Sequence, residues 1–134
     1  MAKSGLTLPE VAEIVDVEYR TLHTWVRRGL LQPSLRSSSG TGTPNLFTAQ
    51  DAVAAKVLAD LRRDGIAIDQ LARVSDALQA HHDALTEDSI LLLNGQVDVV
   101  ADAQSAVHAL QQDAVTLAYG LGHAKRAVAT ALTD

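Results

Sequence analysis

Two short helices in immediate succession are predicted between residues 7 and 29, and no other feature of the sequence restricts the fold as much. Thr7 can cap the first helix, and Glu10 completes a capping box three residues later. Asp16-Val17 interrupts this helix after about two turns. A second helix is predicted from Glu18 to Arg28, with Gly29 as its left-handed stop. Two short helices joined by a tight turn are typical of a helix-turn-helix.

The second helix has one apolar side and one polar side. At about 100° per residue, Leu22, Trp25 and Val26 cluster together, and Trp25 is the only tryptophan of the chain. The opposite side displays Arg20, His23, Thr24 and Arg27. In a helix-turn-helix the exposed face enters the major groove, where arginine can make bidentate bonds to guanine and Thr or His can make single bonds.

The formal charge of −5 is distributed unevenly along the chain. Residues 1–80 contain nine Lys/Arg and nine Asp/Glu, whereas residues 81–134 contain two and seven. No acidic residue occurs from Tyr19 to Gln50, the stretch that contains Arg20, Arg27, Arg28 and Arg36. An acid-free basic surface is the electrostatic footprint of a polyanion site. On charge alone, a solvated helix face is the alternative.

The segment after the second helix predicts a small hairpin. Leu30-Leu31-Gln32 and Asn45-Leu46-Phe47 are the candidate strands, separated by Ser, Gly, Thr and Pro residues with Arg36 among them. Such a hairpin, with a polar and basic tip, is a wing that can follow the phosphate backbone. A surface loop without any role is the alternative that Gly/Ser composition alone favours.

Two further helices follow the wing. Thr48 is the predicted cap of the third, with Asp51 at its third helical position and Asp64-Gly65 at its end. A fourth helix is predicted from Asp69 to about Leu78. The positions expected to face inward are Val53, Val57, Leu58 and Leu61 in the third helix and Leu71, Val74 and Leu78 in the fourth.

The order of these parts resembles the winged-helix DNA-binding domain of the MerR family of bacterial transcription regulators, over residues 6–78. Thr21, Leu22 and Trp25 match its Thr-Leu-x-x-Trp pattern. The remaining matches are Gly29-Leu30-Leu31 with Pro33, Thr48-x-x-Asp51, Leu58 and Leu61, and Gly65-Ile66-x-Ile68-x-x-Leu71. The resemblance implies a regulator of transcription that binds double-stranded DNA.

The chain differs from the usual family pattern at several positions. The family usually has glycine where Asp16 stands, an arginine where His23 stands and an aromatic residue where Thr24 stands. Its wing usually returns through an Arg-Tyr type sequence, in place of Asn45-Leu46-Phe47. Because fewer permanent charges face the backbone, we expect weaker non-specific DNA affinity.

The last part of the chain predicts a small α/β unit. Ser89 to Val100 is a hairpin signal, with Asn94-Gly95 suited to a type I′ turn. Asp102 is the expected cap of a helix through about Gln112, followed by a strand from Ala114 to Tyr119 and a helix from His123 to Leu132. The alternative is one long helix, whose apolar positions would be Ala103, Val107, Leu110, Ala114, Leu117 and Leu121.

Several classes of protein are disfavoured by the sequence. The chain has no cysteine, which excludes disulfides and thiolate metal sites. Adjacent His81 and His82 point about 100° apart on a helix, so a solvated helix end is expected and not a metal site. No catalytic constellation stands out, so we expect no enzyme and no cofactor. Without a bilayer-spanning run or a signal-peptide core, we expect no membrane contact and a cytoplasmic location, with the protein on the nucleoid when it is bound to DNA.

The predicted fold is mainly α: a winged helix-turn-helix domain over residues 1–80, a linker over 81–88, and a dimerisation or effector region over 89–134. The predicted function is a sequence-specific transcriptional regulator that binds an inverted-repeat operator as a homodimer, with residues 89–132 forming the dimer contact. The alternative is an antitoxin-like or other interaction module, whose acidic C-terminal region binds a partner protein. An organic or protein effector is left open.

Overall fold

The computed structural model describes residues 5–36, 44–112, 115 and 117–133. Its helices are α1 (Leu8–Val15), α2 (Tyr19–Arg27), α3 (Ala49–Arg63), α4 (Ile68–Ala80), α5 (Ala103–Gln112) and α6 (Leu121–Thr133). The strands are β1 (Ile90–Leu93), β2 (Val97–Val100) and β3 (Leu117–Gly120), and a short 3-10 turn spans His82–Ala84. The fold is therefore mainly helical, with a small sheet in its second half.

Reciprocal capping boxes begin α1 and α3, as the sequence predicts. The Thr7 hydroxyl accepts from the backbone N–H of Glu10, whose carboxylate accepts from the N–H of Thr7. Thr48 and Asp51 repeat this exchange at α3. Each pair satisfies two backbone donors that the helix itself leaves free. These caps explain why both helices begin where the sequence indicates.

The wing begins differently from the prediction. Leu30 and Leu31 do not form a strand: both side chains enter the core, and the hydroxyl of Ser75 donates to the carbonyl of Leu30. Arg36 instead forms an antiparallel bridge with Leu46, and Leu6 forms an antiparallel bridge with Phe47. The return segment therefore lies between the N-terminal residues and the outgoing segment. Residues 37–43, which hold the predicted tip, lie outside the described residues.

The sheet of the second half is antiparallel, in the order β2-β1-β3. The predicted order of helix, strand and helix after β2 is confirmed, and the alternative of one long helix is wrong. A three-residue connection, Asn94 to Gln96, joins β1 and β2, with Gly95 at φ 93°. The predicted type I′ turn requires positive φ at Asn94 as well, and Asn94 does not have it.

The two halves share one hydrophobic core. Helix α3 is buried around most of its circumference, because it contacts α1, α4 and α6. The core continues from these helices into the second half through Leu91, Leu93, Leu121, Ala124 and Val128. Leu85, within the predicted linker, also packs against this core.

Candidate nucleic-acid interface

Helix α2 is fixed to the core by two side chains. Leu22 is fully buried and Trp25 is 4% exposed, which confirms that the tryptophan anchors the helix. Arg28 ends the helix in a right-handed conformation, and Gly29 follows with φ 77°. The left-handed glycine turns the chain so that Leu30 and Leu31 enter the core. The remaining face of α2 is left for solvent.

That exposed face carries the cationic and polar side chains identified in the sequence. The residues of α2 and its C-terminal cap that are exposed are Tyr19, Arg20, Thr21, His23, Thr24, Arg27 and Arg28. The hydroxyl of Thr24 donates to the backbone carbonyl of Arg20 at 3.1 Å. This bond uses the hydroxyl proton and leaves the lone pairs of the oxygen as acceptors. The face can thus present guanidinium, imidazole and hydroxyl groups to a base edge.

Tyr19 extends this surface, and the sequence reasoning missed it. Its ring stacks on that of His23, with centroids 6.0 Å apart and planes inclined by 27°, and 51% of the residue is exposed. The signal in the sequence is the spacing of four residues, which places two side chains over one another on a helix. The stack restricts the His23 imidazole and puts a phenol hydroxyl beside it.

Arg36 lies at the base of the wing, on its outgoing segment. Its backbone pairs with Leu46, and its guanidinium donates through Nε and Nη2 to the carbonyl oxygen of Pro44, both at 3.3 Å. A guanidinium has five N–H donors, and this contact uses two of them. The arginine is exposed, and it joins the two segments of the wing while its charge faces solvent.

A buried carboxylate ties the wing to α3. Asp51, 7% exposed, accepts hydrogen bonds from the backbone N–H and the hydroxyl of Ser34 at 2.9 and 2.6 Å, in addition to its capping bond. On the other side of the same segment, the Ser75 hydroxyl of α4 donates to the carbonyl of Leu30 at 2.7 Å. These two contacts fix where the wing leaves the core.

The turn between α1 and α2 is held from outside the two helices. Asp16 ends α1 in the left-handed region, at φ 57° and ψ 53°. The guanidinium of Arg63, on α3, donates through Nη2 to the carbonyl oxygens of Val15 and Asp16. Because α1 has no basic residue in its last turn, Arg63 supplies the cation that a helix C-terminus favours.

Other chemistry has little support in the part of the chain that the structure describes. Among residues 5–36, 44–112, 115 and 117–133, no three His, Asp or Glu side chains are grouped as metal ligands. His82 pairs with its neighbour Asp83, at 3.0 Å on the surface. Within the same residues, no helix has the length and apolar character needed to cross a bilayer.

Comparison with known proteins places the N-terminal half in a family. Residues 6–78 match the family model described as MerR HTH family regulatory protein. The chain is 31% identical over 75 residues to HTH-type transcriptional regulators of Mycobacterium bovis and of two strains of Mycobacterium tuberculosis. The matched segment is 56% of this chain and 33% of each relative. The chain therefore spans about a third of the length of these relatives.

Proposed function

Since the chain belongs to the MerR HTH family of regulatory proteins, we propose that it recognises a specific DNA sequence with α2 and regulates transcription from that site. The observation that carries this proposal is the division of α2 into an anchored face and a free cationic face. Leu22 and Trp25 hold the helix, while the side chains opposite them project from the surface. This is the arrangement a recognition helix needs to enter the major groove.

The exposed side chains divide into two classes of contact. Arg20 and Arg27 are the base-reading residues of the proposal, because a guanidinium can bond O6 and N7 of guanine together. His23 and Thr24 add single hydrogen bonds or contact with a thymine methyl group. The phosphate contacts come from Arg28 and Arg36, which lie at the end of α2 and at the base of the wing. Such contacts set register and carry no sequence information.

The operator of the proposal is an inverted repeat that binds a homodimer. One domain with this small set of cations holds a half-site weakly, and a second copy roughly doubles the binding free energy. The dimer contact lies within residues 89–132. The inward face of the sheet packs on the shared core, so the second copy has to use other surfaces. Helix α5 offers Val107 and Leu110, each 52% exposed.

Selection from a random duplex library with the full chain tests the proposal. We expect enrichment of an inverted repeat whose half-sites are about one helical turn apart. Arg20→Ala and Arg27→Ala should each cost about 1–3 kcal/mol of binding and relax the preference at one base pair. Arg36→Ala should weaken all sequences alike and flatten the salt dependence. Arg126→Ala, an exposed arginine on α6, is the matched control and should bind as the parent does.

Two results would contradict the proposed function. A folded Arg20→Ala, Arg27→Ala double variant with unchanged affinity would exclude α2 as the recognition helix. Absence of any enriched sequence, together with a stable complex between the acidic C-terminal half and a partner protein, would favour the interaction module instead.

A further inference from the structure

One carboxylate, that of Asp60 on α3, joins the C-terminal half to the helix-turn-helix. Its side chain is 18% exposed and lies within hydrogen-bond or ion-pair distance of four other side chains. Oδ2 accepts from the hydroxyl of Tyr119 at 2.6 Å and lies 3.6 Å from Nε2 of His123. Oδ1 lies 3.1 Å from Nζ of Lys56 and 3.3 Å from Nη1 of Arg63.

Arg63 continues this connection into the turn between α1 and α2. While Nη1 contacts Asp60, Nη2 donates to the carbonyl oxygens of Val15 and Asp16. These carbonyls belong to the end of α1, where the helix provides no donor of its own. The conformation of Asp16 sets the direction in which α2 leaves α1. The guanidinium therefore contacts the residue whose conformation orients α2.

We infer that Tyr119, Asp60 and Arg63 form a positioning relay, through which the C-terminal half sets the orientation of α2. The inference rests on the proposed function of α2 in reading DNA. A short O–H to carboxylate bond fixes the rotamer of Asp60. The fixed carboxylate orients Arg63, and the planar guanidinium in turn positions the turn between α1 and α2. Tyr119 and His123 lie beyond residues 6–78, so this input comes from outside the family domain.

Through the relay, the C-terminal half influences DNA binding although it does not contact DNA. A dimer contact or an effector that shifts β3 or α6 changes the Tyr119 to Asp60 bond, and the turn follows. The neighbouring Arg62 does not take part, because its Nη1 donates to the carbonyl of Ile66 at 3.1 Å. Two adjacent arginines of the same helix therefore have different contacts, and Arg62 provides a matched control.

Amide hydrogen exchange of the full chain, without DNA, tests the relay directly. The N–H of Val17 donates to the carbonyl of Ala12 at 3.0 Å, so its exchange reports opening of the turn. In Tyr119→Phe and Arg63→Gln we expect this exchange to rise about two- to tenfold, the change that follows from loss of one hydrogen bond. The amides of Leu58 and Leu61 in α3 should keep their rates, and Arg62→Gln should match the parent.

Two results would overturn the relay. One is an unchanged Val17 rate in Tyr119→Phe, and the other is an equal acceleration of all amides, which indicates only lower global stability. DNA affinity provides a second readout: Tyr119→Phe should bind the selected operator about two- to tenfold more weakly with the same salt slope. A parent chain that binds no DNA refutes the proposed function, while the exchange data still decide whether the turn responds to Tyr119.

Discussion

The hydroxyl of Tyr119 donates a 2.6 Å hydrogen bond to Oδ2 of Asp60, which ties the last strand to the third helix. Burial of the phenol raises the pKa of Tyr119, and the hydrogen bond and negative charge of Asp60 raise it further, with a smaller effect of Asp64. All of these causes oppose formation of a phenolate. This contact therefore makes the stability of the fold depend on pH.

The first prediction is that the protein loses stability as pH rises above 10. In the unfolded chain the phenol ionises near its ordinary pKa of about 10, whereas the folded chain retains the proton. Below pH 10 the contribution is fully present, and it is lost at higher pH because only the unfolded state gains from losing the proton. Urea unfolding at pH 8 to 11 should show a steeper loss for the parent than for Tyr119→Phe. Parallel curves for the two proteins would contradict this assignment.

A second prediction concerns the left-handed residue of the helix-turn-helix. Asp16 has φ 57°, a conformation that costs an L-residue other than glycine about 1–2 kcal/mol. Asp16→Gly should therefore raise the free energy of unfolding, by about 0.5–1 kcal/mol after the entropy that glycine adds to the unfolded chain. Asp64→Gly is the control, since Asp64 has φ −81°. That variant should lose stability, and a gain in both variants would show that φ is not the cause.

The third prediction separates the anchoring aromatic residue from the exposed one. Trp25 is 4% exposed, so Trp25→Ala should cost about 3–5 kcal/mol of unfolding free energy. Tyr19→Ala, at a residue that is 51% exposed, should stay within about 0.5 kcal/mol while it weakens DNA binding through loss of the stack on His23. Thermal unfolding followed by circular dichroism measures the stability of both variants, and a DNA titration measures the binding of Tyr19→Ala. A fully stable Trp25→Ala protein would contradict the role of Trp25 as the anchor of α2.

The N-terminal elements could be predicted because their signals are local. Thr7 with Glu10, and Thr48 with Asp51, satisfy donors within one turn of chain, and no distant residue is required. Gly29 likewise acts through its own φ. The exposed face of α2 followed from its periodicity alone. These features agree between sequence and structure since each is decided by residues fewer than five positions apart.

Most features that were wrong or missed depend on distant contacts, and Tyr19, four residues from His23, is a local exception. Leu30 and Leu31 read as a strand, but the bond from Ser75 and the return of Leu46 to Arg36 decide the backbone there. The shared core was not visible because α3 contributes the small buried residues Ala52, Ala55 and Ala59, which give a weak hydrophobic pattern. The contact of Asp60 with Tyr119 joins residues 59 positions apart, and no local rule connects them.

A fourth prediction follows from the close approach of Gly122 to the segment before β1. A Cβ at Gly122 would lie 2.4 Å from the carbonyl oxygen of Glu87, too close for any real contact. Gly122→Ala must therefore displace α6 or that segment, at a cost of about 1–3 kcal/mol. Gly120→Ala is the control, because a Cβ there meets no atom within 4 Å. Equal unfolding midpoints for the two variants would refute the predicted clash.

The last prediction tests the proposed dimer contact on α5. Ala106 faces the sheet and is buried, whereas Val107 and Leu110 are each 52% exposed. An isologous contact through these side chains would remove both from water in each subunit. A Val107→Lys, Leu110→Lys double variant places like charges at that contact, so sedimentation equilibrium should show a monomer. The fold should remain intact, because neither residue belongs to the shared core.

The matched control for this experiment is His108→Lys, Gln112→Lys, which places two lysines at exposed positions of the same helix, about 100° to 160° around it from Val107 and Leu110. The control should remain dimeric and bind the full operator as the parent does. The monomeric variant should retain half-site affinity and lose the gain from the second half-site, since its recognition helix is unchanged. A Val107→Lys, Leu110→Lys protein that still forms a dimer would exclude α5 as the contact. The edge strands β2 and β3 would then be the next surfaces to test within residues 89–132, because an edge strand can pair with a second copy.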